Sequence, residues 1–573
     1  MRTRRSLVVI PLAALLAVLP LALGGSSCGH DFGFHLLNWL EVNAQWRQGF
    51  AYPHWDFSAA WNSGAPRFIF YPPLSWAAGA LFGFVLPWVA VPNTFIWLAL
   101  TACGFTMYRL AREWAGEPAA LIACCFYMVH PYMLFTFYER SAFAELLAAA
   151  WIPLIILSVL RRRVSVAGVA LSITLMWITD APAAVMGCYL LAGLAAARVF
   201  WTWVASRDLR NTLREAGRIA LGSCIGLALA GFYLVPAIVE QRWVHIIMPE
   251  VPGVRVWDNF LFGQFGGPSH QAILRTASIC SVALLAVIAI FGALAIFNTR
   301  KATKPEQGYG RFVSVALLAI SAVLGFLLTA PSAGLWRMFP ELKNLQFPWR
   351  LDALLGAIAA TLLALALDRV RVKPLPAIAI ALAVPIALSL HGNSRFRQYC
   401  GTGYSASDFV SGFVSGNPHD STDEYPPVGA KINAVGHSNP PWWLATDPNA
   451  AAPKNIPDNY SPVIMRRLHF SVESLRQGFV VINIRDYRAW RVTVNGIAGT
   501  HRPHRIDGLI VVPIAKGQST IDIHYAWTAD RVGGWLLTAL GLLMFLAKWR
   551  AERRDTRAHS LFSGERPGIP VAE

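Results

Sequence analysis

An aspartate flanked by histidines heads the first polar stretch of the chain, in Gly29-His30-Asp31-Phe32-Gly33-Phe34-His35. A carboxylate in such a place can take up a proton, and a neighbouring imidazole can orient it. The plainer role would be a solvated helix cap. His30, His35 and the long aromatic segment that follows argue for more than a cap. A second polar group, Phe137-Tyr138-Glu139-Arg140-Ser141, precedes Glu145 at the start of an apolar run. Glu139 and Arg140 alone could form a surface ion pair worth about 0–1 kcal/mol. Glu145 demands a reason, because a carboxylate in an apolar span is expensive unless it is paired or functional. Asp180, in Thr179-Asp180-Ala181-Pro182, is either a functional acid or a turn before the proline. Further along, Leu342-Lys343-Asn344-Leu345-Gln346-Phe347-Pro348-Trp349-Arg350 sets two cations beside a tryptophan. Lys343 and Arg350 either snorkel or bind a lipid phosphate.

The elements that must position these residues are membrane helices. Of 573 residues, 55% are hydrophobic and only 14% charged. The mean hydropathy is +0.45. A soluble domain carries about 25% charged residues. The apolar residues fall in blocks of about 20, the length that crosses a ~30 Å hydrocarbon core. Disorder, a collagen-like fibre and a small disulfide scaffold are excluded. The net charge of +17 does not indicate nucleic acid, because the cations cluster between apolar blocks, as at Arg161-Arg162-Arg163 and Arg369 to Lys373. That is the pattern of cytoplasmic loops. Six of the eight cysteines (Cys103, Cys124, Cys125, Cys188, Cys224, Cys280) lie within apolar blocks and read as small core residues. Cys28 and Cys400 fall in polar segments of one compartment, where a disulfide between them is open.

Charge placement orients the chain. Arg2 to Arg5 followed by Ser6 to Gly24 reads as an uncleaved first helix with its basic end inside. If Leu74 to Val91 also spanned, Arg109, Arg112 and Arg161 to Arg163 would lie outside. A non-spanning, membrane-embedded Leu74–Val91 puts every later basic cluster inside. Spans are then expected at 93–111, 118–136, 143–160, 165–182, 183–203, 219–238, 276–297, 312–329, 352–368, 375–390 and 531–548. With the first helix these make twelve, and both termini lie in the cytoplasm.

The expected organisation is a helical membrane domain over 1–390 with a first outer loop at 25–92. An extracytoplasmic β-rich domain at 391–530, a final helix at 531–548 and a basic tail at 549–573 complete it. Period-two alternation at Phe479 to Ile484, Trp490 to Val494, Leu509 to Ile514 and Thr520 to Tyr525 predicts antiparallel strands. Asn495-Gly496 and Lys516-Gly517 are expected at turns between them. The result would be a β-sandwich-like unit before the last helix. It would bind glycan through exposed aromatics such as Trp442 and Trp443, or cap and position the site.

No Walker loop, His-Glu-x-x-His zinc signature or Gly-x-Ser-x-Gly elbow occurs. The polar residues gather at the outer face, not through mid-membrane as in many proton-coupled transporters. That placement suits an enzyme using a lipid-linked donor, because nucleotide substrates are absent outside.

The ordered set of short motifs resembles the GT-C fold membrane glycosyltransferases. More narrowly, it is similar to the bacterial YfhO-like proteins and to membrane proteins named after a 6-pyruvoyl-tetrahydropterin synthase-related domain. The motifs are Asp31 with His35, Gly64-Ala65-Pro66, Phe70-Tyr71-Pro72-Pro73-Leu74, Tyr138-Glu139-Arg140-Ser141-Ala142-Phe143-Ala144-Glu145, Gln346-Phe347-Pro348-Trp349-Arg350, and Tyr487 to Gly496 with Lys516-Gly517 and Tyr525. The resemblance implies a polytopic α-helical, GT-C-like protein with a catalytic acid at Asp31 and a second acidic position at Glu139 or Glu145. It implies inverting transfer from a polyprenyl-phosphate-sugar donor to a glycan, glycolipid or protein acceptor outside a bacterial inner membrane. His35 would position Asp31, Arg140, Lys343 and Arg350 would hold the donor phosphate, and His30 and Asp180 are further candidates. Relatives often carry two adjacent acids where this chain has His30-Asp31, so no metal ligand set is defined and a divalent cation stays open. The alternative reading is a non-enzymatic protein that transports or scaffolds envelope polysaccharide.

Overall fold

The computed structural model describes residues 3–247, 251–299, 305–370, 372–416, 424–431, 434–453, 467–499 and 502–562. The segment between the expected spans 276–297 and 312–329, and the basic tail, lie partly outside the described residues. Among those described, ten helices are long and apolar enough to cross a membrane. They are Ser6–Gly24, Trp88–Ala111, Glu117–Arg140, Phe143–Leu160, Ala181–Ser206, Pro268–Phe297, Tyr309–Leu327, Pro348–Leu367, Pro374–Phe396 and Ala529–Arg554. The pair Leu209–Leu229 and Gly231–Trp243 is long and apolar enough only when taken together, and is bent by 75° at the break, as a broken span or a re-entrant loop is. Val166–Thr179, the remaining expected span, is a shorter apolar helix.

The bend has a local cause. At Gly231 the backbone packs against Gly534 of the last helix, where an added Cβ would meet the Gly231 carbonyl at 2.7 Å. Small residues permit such close helix contact in membranes. The Phe232 amide freed by the break donates to Thr538 Oγ1 at 2.8 Å.

The stretch Leu74–Val91 is not one helix. It holds Pro73–Phe82, too short to span, a turn, and the 3-10 turn Trp88–Ala90 that leads into the next helix. The segment before it is folded around buried polar groups. Arg67 Nη1 lies 2.7 Å from Asp56 Oδ2 and donates to Asn38 Oδ1 at 3.0 Å. Glu41 Oε1 accepts from Gln45 Nε2 at 2.8 Å and from the Phe57 amide at 3.2 Å. Burial and the neighbouring Asp56 raise the Glu41 carboxyl well above the ordinary range.

Among the described residues, seven strands follow late in the chain: β1 Trp442–Ala445, β2 Arg467–Ser474, β3 Gly478–Arg485, β4 Trp490–Val494, β5 Ile497–Ala498, β6 Leu509–Ile514 and β7 Gly517–Tyr525. They make two antiparallel sheets, ordered β1-β3-β6 and β2-β7-β4-β5. Val480, Ile482, Ile510 and Val512 of one sheet pack with Val492, Ile521 and Ile523 of the other. Trp55, Phe57, Ile69 and Phe70 of the first loop join the same core, so the sandwich is seated on that loop. Asn495 and Gly496, with φ of +52° and +76°, form the two-residue hairpin between β4 and β5. Lys516-Gly517 differs from expectation. It passes the chain from one sheet to the other, because β6 pairs with β3 while β7 pairs with β2 and β4.

Among the described residues of the expected β domain, the first strand begins at Trp442. Before it the helix Pro374–Phe396 runs past its expected end, and a short helix follows at Ala406–Val414. Trp442 and Trp443 are not exposed aromatics. Trp442 stacks on Phe470, and Trp443 is buried with Arg505 over its ring. The segment after Phe396 is stitched to the end of the first helix. Cys28 and Cys400 form a disulfide with their Cα atoms 5.0 Å apart. The Cys28 amide donates to the Gln398 carbonyl at 3.0 Å.

Candidate active site

Two irregular backbone pieces create the site. Pro131 forces His130 into extended backbone and ends the helix Glu117–Val129. The chain resumes in Pro131–Phe135, then widens into a π-helical turn at Thr136–Arg140, and Ser141 adopts φ +51°. Such wide turns recur at functional sites. Here the turn brings the Arg140 side chain back towards Glu145 and frees its carbonyl.

That carbonyl accepts the Asp31 amide at 2.8 Å. Ser27 Oγ donates to the Tyr138 carbonyl at 2.5 Å, and the Gly29 amide donates to Ser141 Oγ at 3.0 Å. A Cβ on Gly29 would meet the Arg140 carbonyl carbon at 2.7 Å, so only glycine allows this approach. Asp31 is therefore held by backbone contacts, and its side chain is left partly open to the surface.

Arg140, Glu145, Tyr132 and Arg350 form one buried cluster. Arg140 Nη1 donates to Glu145 Oε2 at 2.7 Å and to the Tyr132 hydroxyl at 3.3 Å. The Tyr132 hydroxyl donates in turn to Glu145 Oε1. Arg350 Nε lies 3.3 Å from Glu145 Oε2, while its Nη1 donates to the Leu345 carbonyl at 3.0 Å. Arg140 also stacks over Trp349 at 4.9 Å. One glutamate thus serves two guanidiniums. The second counter-charge is Asp31, whose Oδ2 stands 3.9 Å from Arg140 Nη2. Its side chain is 43% exposed, against 4% for Arg140 and 5% for Glu145.

The other expected residues divide. Asp180 is buried beside the cluster and caps the helix Ala181–Ser206, accepting the Ala183 amide at 2.9 Å. Glu139 points away from Glu145; it accepts from Gln398 Nε2 at 2.8 Å and stands 3.9 Å from His30 Nε2. His35 is buried among Phe34, Tyr71 and Phe143. Burial pushes its imidazole down to about 4, so it is neutral near pH 7. No hydrogen bond joins its ring to the Asp31 carboxylate; its amide donates to the Asp31 carbonyl at 3.1 Å. Lys343 is exposed and makes no ion pair among the described residues.

Two participants escaped the sequence reading as individuals. Tyr132 sits in an apolar stretch without a charged neighbour to flag it. Tyr71 stood within a motif, yet nothing pointed to its hydroxyl. Burial and the nearby Asp180 and Asp31 raise that hydroxyl well above its usual range, so it keeps its proton. Among the described residues no group of three or more His, Cys, Asp or Glu is placed to hold a metal.

No family model matches the chain, and no curated protein matches it. The narrower motif resemblance therefore finds no family counterpart. Among solved structures, the chain is similar to cryo-EM structures of the arabinofuranosyltransferase AftD from Mycobacteria. The identity is 18% and the TM-score 0.42, over 69% of this chain and 27% of that one. The Archaeoglobus fulgidus oligosaccharyltransferase complex with zinc and sulfate is similar at 15% identity and TM-score 0.38, over 75% of this chain and 59% of that one. The chain spans about a quarter of the length of the first and under two thirds of the second. Likeness this distant carries no argument about the site, and the reading that follows rests on the geometry.

Proposed function

We propose that this protein is a glycosyltransferase that moves a sugar from a polyprenyl-phosphate-linked donor to a hydroxyl of an acceptor at the outer face of the membrane. The acceptor is an envelope glycan, glycolipid or glycoprotein. The observation that carries the reading is the pairing of one open carboxylate, Asp31, with a buried cluster holding two guanidiniums on one glutamate.

The chemistry follows from that asymmetry. The acceptor oxygen attacks the anomeric carbon as the bond from that carbon to the phosphate oxygen breaks. Asp31 takes the acceptor's proton, a contribution of about 10²–10⁴-fold for a placed general base. The electron pair leaves on the phosphate, whose growing charge Arg140 and Arg350 meet without reorganising. Glu145 and Tyr132 hold the two guanidiniums in place. With both of its oxygens so engaged, Glu145 suits this positioning role better than that of a base. Attack opposite the leaving phosphate inverts the anomeric carbon.

Purified protein incubated with a panel of radiolabelled polyprenyl-phosphate sugars and envelope fractions tests the assignment. Label should move to acceptor from at least one donor. Absence of transfer across the panel, with the protein folded, would overturn it in favour of transport or scaffolding.

A further inference from the structure

The outward face of the sheet β2-β7-β4-β5 carries a second polar constellation, remote in sequence from the cluster above. Arg467 of β2, His524 of β7 and Arg491 of β4 stand in one cross-strand row. Two guanidiniums thus flank one imidazole across three strands. The next row holds His469, Asp522 and Thr493. Asp522 accepts from Arg467 Nε at 2.6 Å, and its oxygens lie 3.3 Å from His469 Nδ1 and 3.6 Å from His524 Nδ1. Its side chain is 12% exposed, while those of Arg467 and His469 are 69% and 61% exposed.

The aspartate is therefore not the group offered to a ligand. It anchors a guanidinium and two imidazoles, and the exposed edges of Arg467 and His469 face outward. Thr493 and Thr520 line the same open depression of about 490 Å³. Two guanidiniums, one of them fixed on a carboxylate, beside threonine hydroxyls make a site for an anion. Its place identifies the source. His524 and Tyr525 end β7, and the last membrane helix begins at Ala529. Trp527, 64% exposed, stands between them, as tryptophans do at a membrane interface.

We propose that this depression binds the phosphate of an anionic phospholipid headgroup in the bilayer that the last helix crosses. The contact would fix the β domain against the membrane surface, whatever reaction the protein performs.

The test uses the full chain in nanodiscs with a phosphatidylglycerol bearing a photoactivatable headgroup, and maps crosslinks by peptide mass spectrometry. Crosslinks should form on β2 and β7 and be several-fold fewer with a phosphatidylcholine analogue. Arg467→Ala/Arg491→Ala, at two exposed positions, should cut the yield by about tenfold or more, since each interfacial cation contributes appreciably. Asp522→Asn should also lower it, because the donors lose their anchor. A diffuse positive surface would instead gain yield when that negative charge is removed, and such a gain overturns the proposal. So does a double variant with wild-type yield, or equal yield from phosphatidylcholine. Suppression by an acidic oligosaccharide such as oligogalacturonate, but not by unlabelled phosphatidylglycerol, would also sink it and assign the depression to an acidic glycan.

Discussion

Two buried clusters in this molecule are built from the same three side chains and end in opposite roles. At the base of the β domain, Arg531 Nε and Nη2 donate to both oxygens of Glu240 at 2.9 and 3.1 Å. Tyr487 donates to the same glutamate, and Arg531 also donates to the Tyr525 hydroxyl at 2.8 Å. Arg531 is 2% exposed and Glu240 is fully buried. Both oxygens of Glu240 are taken up by the one guanidinium, Asp530 lies close by, and the pair is shut off from the surface. This cluster ties Gly231–Trp243, β7 and the last helix together. The cluster at Arg140 repeats the arginine, glutamate and tyrosine. It adds a second guanidinium from Arg350, and its second carboxylate, Asp31, stands open at 43% exposure. A carboxylate bonded on both oxygens to one buried guanidinium makes a tether. At Arg140 two guanidiniums share Glu145, with Asp180 buried nearby and Asp31 in the open, the arrangement proposed above to meet an anion beside a base.

Replacing each pair with apolar residues separates the two roles most sharply. Arg531→Met/Glu240→Leu should leave transfer near wild type and cost less stability than removing Glu240 alone, because neither charge of the pair stays buried and the Tyr487 and Tyr525 hydroxyls lose partners at about 1–3 kcal/mol. Arg140→Met/Glu145→Leu should abolish transfer even in protein that folds. Transfer assayed beside thermal unfolding reads both, and equal behaviour of the two double variants would break the comparison.

Removing one partner of the tether should be costly. Glu240→Ala leaves Arg531 buried and unpaired, an expected loss of about 3–5 kcal/mol, measured as a lower unfolding midpoint. Transfer per folded molecule should change little.

The first loop adds a pH dependence. His35 titrates at about 4 in the folded chain and near 6.5 when unfolded. Between those values the unfolded chain binds a proton that the folded chain refuses. Stability is therefore full above pH 7 and falls as pH drops towards 4, by at most about 3 kcal/mol. Midpoints recorded across that range should fall less steeply for His35→Phe.

The cations give the smallest and most selective contrast. Arg350→Ala should lower kcat/KM for the donor by about 10–100-fold, the worth of roughly 1.5–3 kcal/mol in a charged hydrogen bond. Lys343→Ala, at an exposed position without an ion pair, should stay within about twofold, since surface changes are usually within ±0.5 kcal/mol. Comparable losses from both would mean that the whole rim, not the cluster, holds the phosphate.

Much of the architecture could be read before any coordinates because it follows from local pattern. Apolar runs mark the spans, basic loops argue against a span at Leu74–Val91, and alternation marks β3, β4, β6 and β7. The site was legible only in pieces. Asp31, Arg140, Glu145 and Arg350 stood out because charge beside apolar sequence needs a cause. Lys343 was grouped with Arg350 by closeness in sequence, yet the turn at Gln346, with φ +64°, separates the two environments. Tyr132 carries no charge and lies in an apolar run, so nothing marked it. Gln398 reaches Glu139 only because the chain folds back at the Cys28–Cys400 bridge, a pairing that sequence left open. Trp442 and Trp443 suggested an exposed platform, but β1 lies at the edge of the sheet β1-β3-β6, where Phe470 and Arg505 cover them.

The most direct test of the central claim is the transfer rate of Asp31→Asn beside its thermal unfolding midpoint. Asparagine keeps the size and the capping ability of aspartate but cannot accept the proton. The account predicts an unchanged midpoint with a rate reduced by about 10²-fold or more, the contribution of a general base. A rate above about a tenth of wild type would contradict it, because a general base contributes far more than that.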